Sequence, residues 1–202
     1  KQKTAYEIVD WDWSSDVCSS DLLAATQRGD WAAARALMEQ ATACAEQDAA
    51  ARRALAAVTH NLASHLRDAA GQAASPAPEA ALQLMVDAAR RSRTAWAEVG
   101  GWLEIERADW HLAMCHAVAG QGPDALRHAQ ATLAACQAHG ADDFEFCFAW
   151  QAMAWAALSG QDLAQARLAR DKMAARAGLI ADPDFADYAQ AELARLSERL
   201  GA

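Results

Sequence analysis

Apolar residues recur every three or four positions through most of the chain. Leu55, Val58, Leu62 and Leu66 form one such stripe; Phe185, Tyr188, Ala189, Leu193, Leu196 and Leu200 form another. This is the period of a helix with one face against a core, not the two-residue alternation of a strand. The pattern predicts helices over 30–46, 50–70, 77–98, 101–119, 123–139, 143–159, 162–178 and 184–200.

Glycine and proline mark the breaks. Gly29, Gly71, Gly100, Gly101, Gly120, Gly122, Gly140, Gly160, Gly178 and Gly201 fall at or near expected helix ends. Pro76, Pro78, Pro123 and Pro183 fall just before or at expected starts. Helices prefer this asymmetry, because proline suits the first turn and glycine the residue past the end. Asp182-Pro183 reads as an N-cap followed by a proline at the first helical position. Short linkers make consecutive helices antiparallel neighbours. The longest linker, GQAASPAP from Gly71 to Pro78, reads as a polar loop.

Composition narrows the fold class to all-α. Alanine supplies 55 of the 180 residues in 23–202. It is the strongest helix former, and its small side chain lets helices approach closely. β-branched residues are scarce, which excludes a substantial sheet. The same span holds 16 basic and 22 acidic residues, net −6 against −9 for the whole chain. Mild acidity lacks the electrostatic footprint of a nucleic-acid binder. No apolar run reaches the roughly 18–20 residues that span a bilayer. Cys44, Cys115, Cys136 and Cys147 show no CxxC spacing and sit in helical patterns, so reduced, buried thiols are expected. The alanine content points to a GC-rich bacterial gene.

The opening, Lys1–Leu22, looks unlike the rest. Its two blocks are KQKTAYEI and DWSSDVCSSDL, with Val9, Asp10 and Trp11 between them. Written back into codons, the blocks resemble the two ends of a widely used short-read sequencing adapter, with its variable index between. Trp11 departs from the codon expected before Asp12. The resemblance implies that residues 1–22 are not native protein and stand outside the fold. The domain is then 23–202, truncated at its start. LLAATQR becomes the tail of a largely lost helix that once covered 30–46. An end uncovered in this way offers apolar surface for self-association.

Short motifs repeat along the domain. In GDWAAARALMEQA, Gly29 is followed by Ala34 at +5 and Ala41 at +12. In GQGPDALRHAQATL, Gly120 is followed by Ala125 at +5. In GQDLAQARLA, Ala164 and Ala166 flank the +5 position after Gly160. Leu112 and Ala113 precede Gly120, as Leu62 and Ala63 precede Gly71. This resembles the tetratricopeptide repeat, a helix–turn–helix unit with small residues where its helices cross. The Gly120-to-Gly160 spacing is 40 rather than about 34, and the usual proline after the second helix is absent. The resemblance implies antiparallel helix pairs stacked as a short right-handed α-solenoid. The pairs are 50–70 with 77–98, 101–119 with 123–139, and 143–159 with 162–178. The last helix, 184–200, becomes a cap whose polar face carries Asp187, Gln190, Glu192, Arg195 and Glu198.

Candidate chemistry is sparse. There is no phosphate loop, nucleophile elbow or HExxH, so no enzyme activity, cofactor or metal is expected. His111 and Cys115, at i,i+4 with His116 beside them, are either two zinc ligands awaiting two more or a polar, partly buried face. His60 and His65 lie five apart and do not share a face. Glu104 with Glu106, and Asp142 with Asp143, read as solvated surface or caps.

Trp110 and Trp150 are 40 apart, as are Gly120 and Gly160, and so are expected at equivalent sites. The family resemblance implies a concave groove lined by Arg107, Trp110 and Met114, with Cys147, Trp150, Asn61 and His65 on the same side. Tryptophan and arginine dominate binding hot spots. The alternative is that both tryptophans fill core between repeats. The expected function is a cytoplasmic scaffold or adaptor that binds a partner protein or peptide, with no nucleic-acid or membrane partner. The runner-up is a regulatory or sensor C-terminal part of a longer bacterial regulator or signalling protein.

Overall fold

The computed structural model describes residues 17–46, 48–72 and 75–201. Most of the adapter-like opening, residues 1–16, lies outside them. The described residues form nine helices: α1 (Val17–Gln27), α2 (Trp31–Ala45), α3 (Ala49–Gln72), α4 (Glu79–Val99), α5 (Trp102–Val118), α6 (Gly122–His139), α7 (Asp143–Ser159), α8 (Leu163–Ala177) and α9 (Pro183–Leu200). The eight helices expected from the apolar period are all present, their ends displaced by at most two residues. Helix α1 runs through the junction at residue 22, and Leu22 and Ala25 are buried beside Ala34 and Met38.

Local chemistry sets the boundaries. The carboxylates of Asp30, Asp142, Asp162 and Asp182 accept hydrogen bonds from the first-turn N–H groups of α2, α7, α8 and α9. These bonds satisfy donors that a helix start leaves without partners. Glu104 Oε2 accepts from the Gly101 N–H at 2.9 Å and closes the start of α5. Pro183 occupies the first turn of α9 as expected, and Gly140 and Gly201 end α6 and α9 in the left-handed region.

Every helix–helix contact among the described residues joins helices one or two places apart in sequence. One apolar cluster spans α5 to α9 around Phe148, Met173 and Leu196. A second spans α1 to α5 around Met38, Leu84, Met85 and Leu112. A smaller one gathers at Trp96. Helices α5 and α7 lie deepest. On α5, Glu106 and every residue from Ala108 to His116 are buried, so that helix has no free face.

Three turns share one geometry. Gly29, Gly120 and Gln161 have φ of 71°, 72° and 62°. The N–H of each reaches the carbonyl three residues back, at 3.0, 3.1 and 3.0 Å. The next N–H reaches the carbonyl five back, at 2.9 Å in all three. Five residues after the left-handed position come Ala34, Ala125 and Ala166, all 0% exposed. The counterpart of Gly120 is therefore Gln161, not Gly160, and the register between these pairs is one residue longer than the glycine spacing implies. Gly160 serves a different need: a Cβ on Gly122 would sit 2.8 Å from the Gly160 backbone. The two glycines let the start of α6 touch the turn between α7 and α8.

This register makes two stability predictions, read from denaturant midpoints. Gly122→Ala lowers stability by about 1–3 kcal/mol, because overpacking forces the backbone apart. Gln161→Gly raises it by about 1 kcal/mol, because glycine enters the left-handed region without strain.

Candidate functional site

The structure does not gather the expected groove residues on one open surface. Asn61 and His65 are exposed on α3. Trp110, Met114 and Cys147 are buried at 2%, 9% and 0% exposure. Arg107 is half-buried, its Nε donating to Glu145 Oε1 at 3.0 Å. Trp150 is half-buried and lines a different cleft. The one-residue change of register explains the split. Each residue turns a helix by about 100°, so Trp150 points away from the face that Trp110 occupies.

The counterpart of Trp110 is Gln151. The Trp110 Nε1–H donates to Gln151 Oε1 at 3.0 Å, and Gln151 Nε2 donates to Glu192 Oε2 at 2.8 Å. Both steps span 41 residues, so one buried hydrogen-bond chain crosses α5, α7 and α9. Arg195 closes its end by donating to Glu192 Oε1 at 2.6 Å. Beside it, the Arg67 guanidinium lies 5.3 Å from the Trp110 ring centre, Phe148 meets Trp110 edge-on, and Tyr188 stacks on Phe148. Burial pushes the Tyr188 hydroxyl up to about 12.

Most of the histidines and thiols are internal, but His65, His139 and Cys44 are exposed, and Cys44 thereby departs from the buried thiol expected of it. His111 is 1% exposed; its Nε2 lies 3.2 Å from Ser64 Oγ, and its ring centre 4.2 Å from that of His60. Burial lowers His60 to about 4 and lowers His111 as well, so both are neutral imidazoles. His116 Nδ1 lies 2.6 Å from Gln121 Oε1, and its ring stacks on His128. Burial pushes the Cys115 and Cys147 thiols up to about 12, far from nucleophilic thiolates. Among the described residues, no three His, Cys, Asp or Glu side chains stand together to hold a metal ion. Of the acid pairs, Glu104 and Asp142 are caps and Asp143 pairs with Arg176 at 2.6 Å. Glu106 corrects the expectation of a solvated pair, since it is 1% exposed. It sits on a helix that packs on all sides.

Two of the clefts on the outside of the described residues stand out. One, of about 580 Å³ between α6, α7 and α8, is lined by Pro123, Leu126, Trp150, Met153, Gln165 and Leu168. Leu126 is 36% and Leu168 50% exposed. Lys172, the sole lysine among the described residues, places Nζ 4.5 Å from the Trp150 ring centre. The other cleft, of about 500 Å³ between α2, α3 and α4, carries charges over Leu55 and Ala95. There Arg52 pairs with Glu98 at 3.0 Å, Asp87 with Arg35 and Arg90, and Arg91 donates to Thr42 Oγ1 at 2.7 Å. The amphipathic period passed over the first cleft, although Leu126 and Leu168 signal it as leucines outside the core-facing stripes.

Trp110 is thus predicted to act on stability. Trp110→Ala lowers unfolding free energy by about 3–5 kcal/mol. Trp110→Phe costs about 1–3 kcal/mol, because it leaves the Gln151 carbonyl buried without its donor. Urea titrations of the two variants check both values. No protein-family model matches this chain, and no curated protein matches it.

Proposed function

We propose that this chain is a tetratricopeptide-like binding module, with helix pairs stacked as a short right-handed α-solenoid, and that it captures a partner protein or peptide rather than catalysing a reaction. Contacts confined to helices one or two places apart support the repeat reading. So do the three matching turns at Gly29, Gly120 and Gln161. A binding role fits the chemistry. His60, His111 and Glu106, whose ionisation burial disfavours, are internal and line neither cleft.

The observation that carries the reading is the apolar cleft around Trp150. A half-buried tryptophan beside two exposed leucines is the composition of a hot spot waiting for an apolar anchor. The ligand that fits is a short peptide segment that inserts an apolar side chain beside Trp150. An acidic residue on that segment would meet Lys172. This moves the binding surface from the face between α3, α5 and α7 to the face between α6, α7 and α8. Trp150 remains from the expected set; Trp110, Met114 and Cys147 become supports beneath it.

Selection from a displayed random-peptide library tests this directly. Peptides enriched on the wild type should share an apolar residue and lose about tenfold or more in affinity on Trp150→Ala. Leu168→Ser should act in the same direction, and both variants should melt within a few degrees of the wild type. Peptides that bind equally well to Trp150→Ala would place recognition elsewhere and overturn the assignment.

A further inference from the structure

Two carboxyl groups are buried together where α5, α6 and α7 meet. Glu106 is 1% and Glu145 5% exposed. Arg107 donates to Glu145 Oε1 through two guanidinium nitrogens, and the Cys136 thiol donates to Glu106 Oε1 at 3.5 Å. Among the described residues, the second oxygen of each carboxyl has no N–H, O–H or S–H donor. The two carboxyls lie within hydrogen-bonding reach of each other.

Two carboxylates in contact and away from water cannot both be ionised without strong repulsion. Two buried acceptors without donors add a further penalty. A single proton removes both problems, because the O–H of one carboxyl then donates to the other. Arg107 already donates twice to Glu145, so the proton is placed on Glu106. We propose that Glu106 and Glu145 form a proton-binding site that ties the α5–α6 pair to α7. The native protein holds one proton there that the unfolded chain has given up, and loss of that proton loosens the junction.

The surroundings leave this proton without competition. Burial, then the Glu145 charge, raises Glu106 from about 4.5 to about 8, against smaller opposing effects of Cys136 and Arg107. Arg93 of α4 and His128 of α6 are committed to Asp109, one turn along α5. His139 of α6 stacks on Trp102, and Asp143 of α7 is held by Arg176 of α8. Because the folded value is the higher one, the stabilisation is complete below about 4.5. It falls as pH rises toward about 8, where the native protein itself ionises, and changes no further above that.

Unfolding in weak buffer at about pH 6.5, with an indicator dye reporting protons, tests the proposal. The wild type should release about one more proton than Glu106→Gln, which keeps the donor to Glu145 but carries no titratable proton. The melting temperature of the wild type should also fall relative to Glu106→Gln between about pH 5 and 8. Equal proton release, or parallel melting curves, would overturn the idea. Carboxyl-carbon NMR of the wild type decides the matter even if the variant does not fold. One glutamate titrating near pH 8 supports the site, and all glutamates titrating below about pH 6 exclude it.

Discussion

Helices α5 and α7 are enclosed by their neighbours, and most of the interior chemistry follows from that enclosure. Helix α5 packs against α3, α4, α6 and α7, and α7 against α5, α6, α8 and α9. Their buried polar side chains have no access to water, so they must satisfy one another. Asp109 takes both Arg93 and His128. Trp110 uses Gln151, which uses Glu192. Glu145 takes Arg107 and Glu106 takes the Cys136 thiol, and the proposed proton reconciles the two carboxyl oxygens left over. These bonds join residues 16 to 41 positions apart and give direction to an alanine-rich core.

The enclosure also decides where a ligand can sit. A groove built on the inward faces of α5 and α7 would need side chains that reach solvent, and here those faces are occupied by Trp110, Phe148 and Gln151. The outward junction of α6, α7 and α8 keeps Leu126 and Leu168 accessible beside Trp150. Gly122 and Gly160 permit the close backbone contact at one end of that junction. The cleft and the core are therefore linked through one stretch of α7, with Gln151 turned inward and its neighbour Trp150 turned out.

Helix positions were legible in the amino-acid pattern because apolar period, glycine and proline agreed at most boundaries, although neither glycine nor proline marks the break between α2 and α3. The small residues after each turn were legible too: Ala34, Ala125 and Ala166 are fully buried. The register between the matching turns was not. Gly160 looked like the partner of Gly120, but the left-handed position is taken by Gln161, a residue type that gives no warning of that conformation. Assigning Trp110 and Trp150 to one face inherited this error. Burial of Glu106 was equally hidden, since an acidic residue in a helix ordinarily reads as solvated surface, and only the packing of four neighbours around α5 reverses that.

The placement of the two tryptophans is the point on which the register, the buried hydrogen-bond chain and the outer cleft all stand. It can be read from fluorine NMR of protein labelled with 5-fluorotryptophan, with resonances assigned by single Trp→Phe variants. A soluble paramagnetic agent is then added. The Trp150 signal should broaden strongly while the Trp110 signal is protected. Equal broadening of both, or protection of Trp150 with exposure of Trp110, would contradict it.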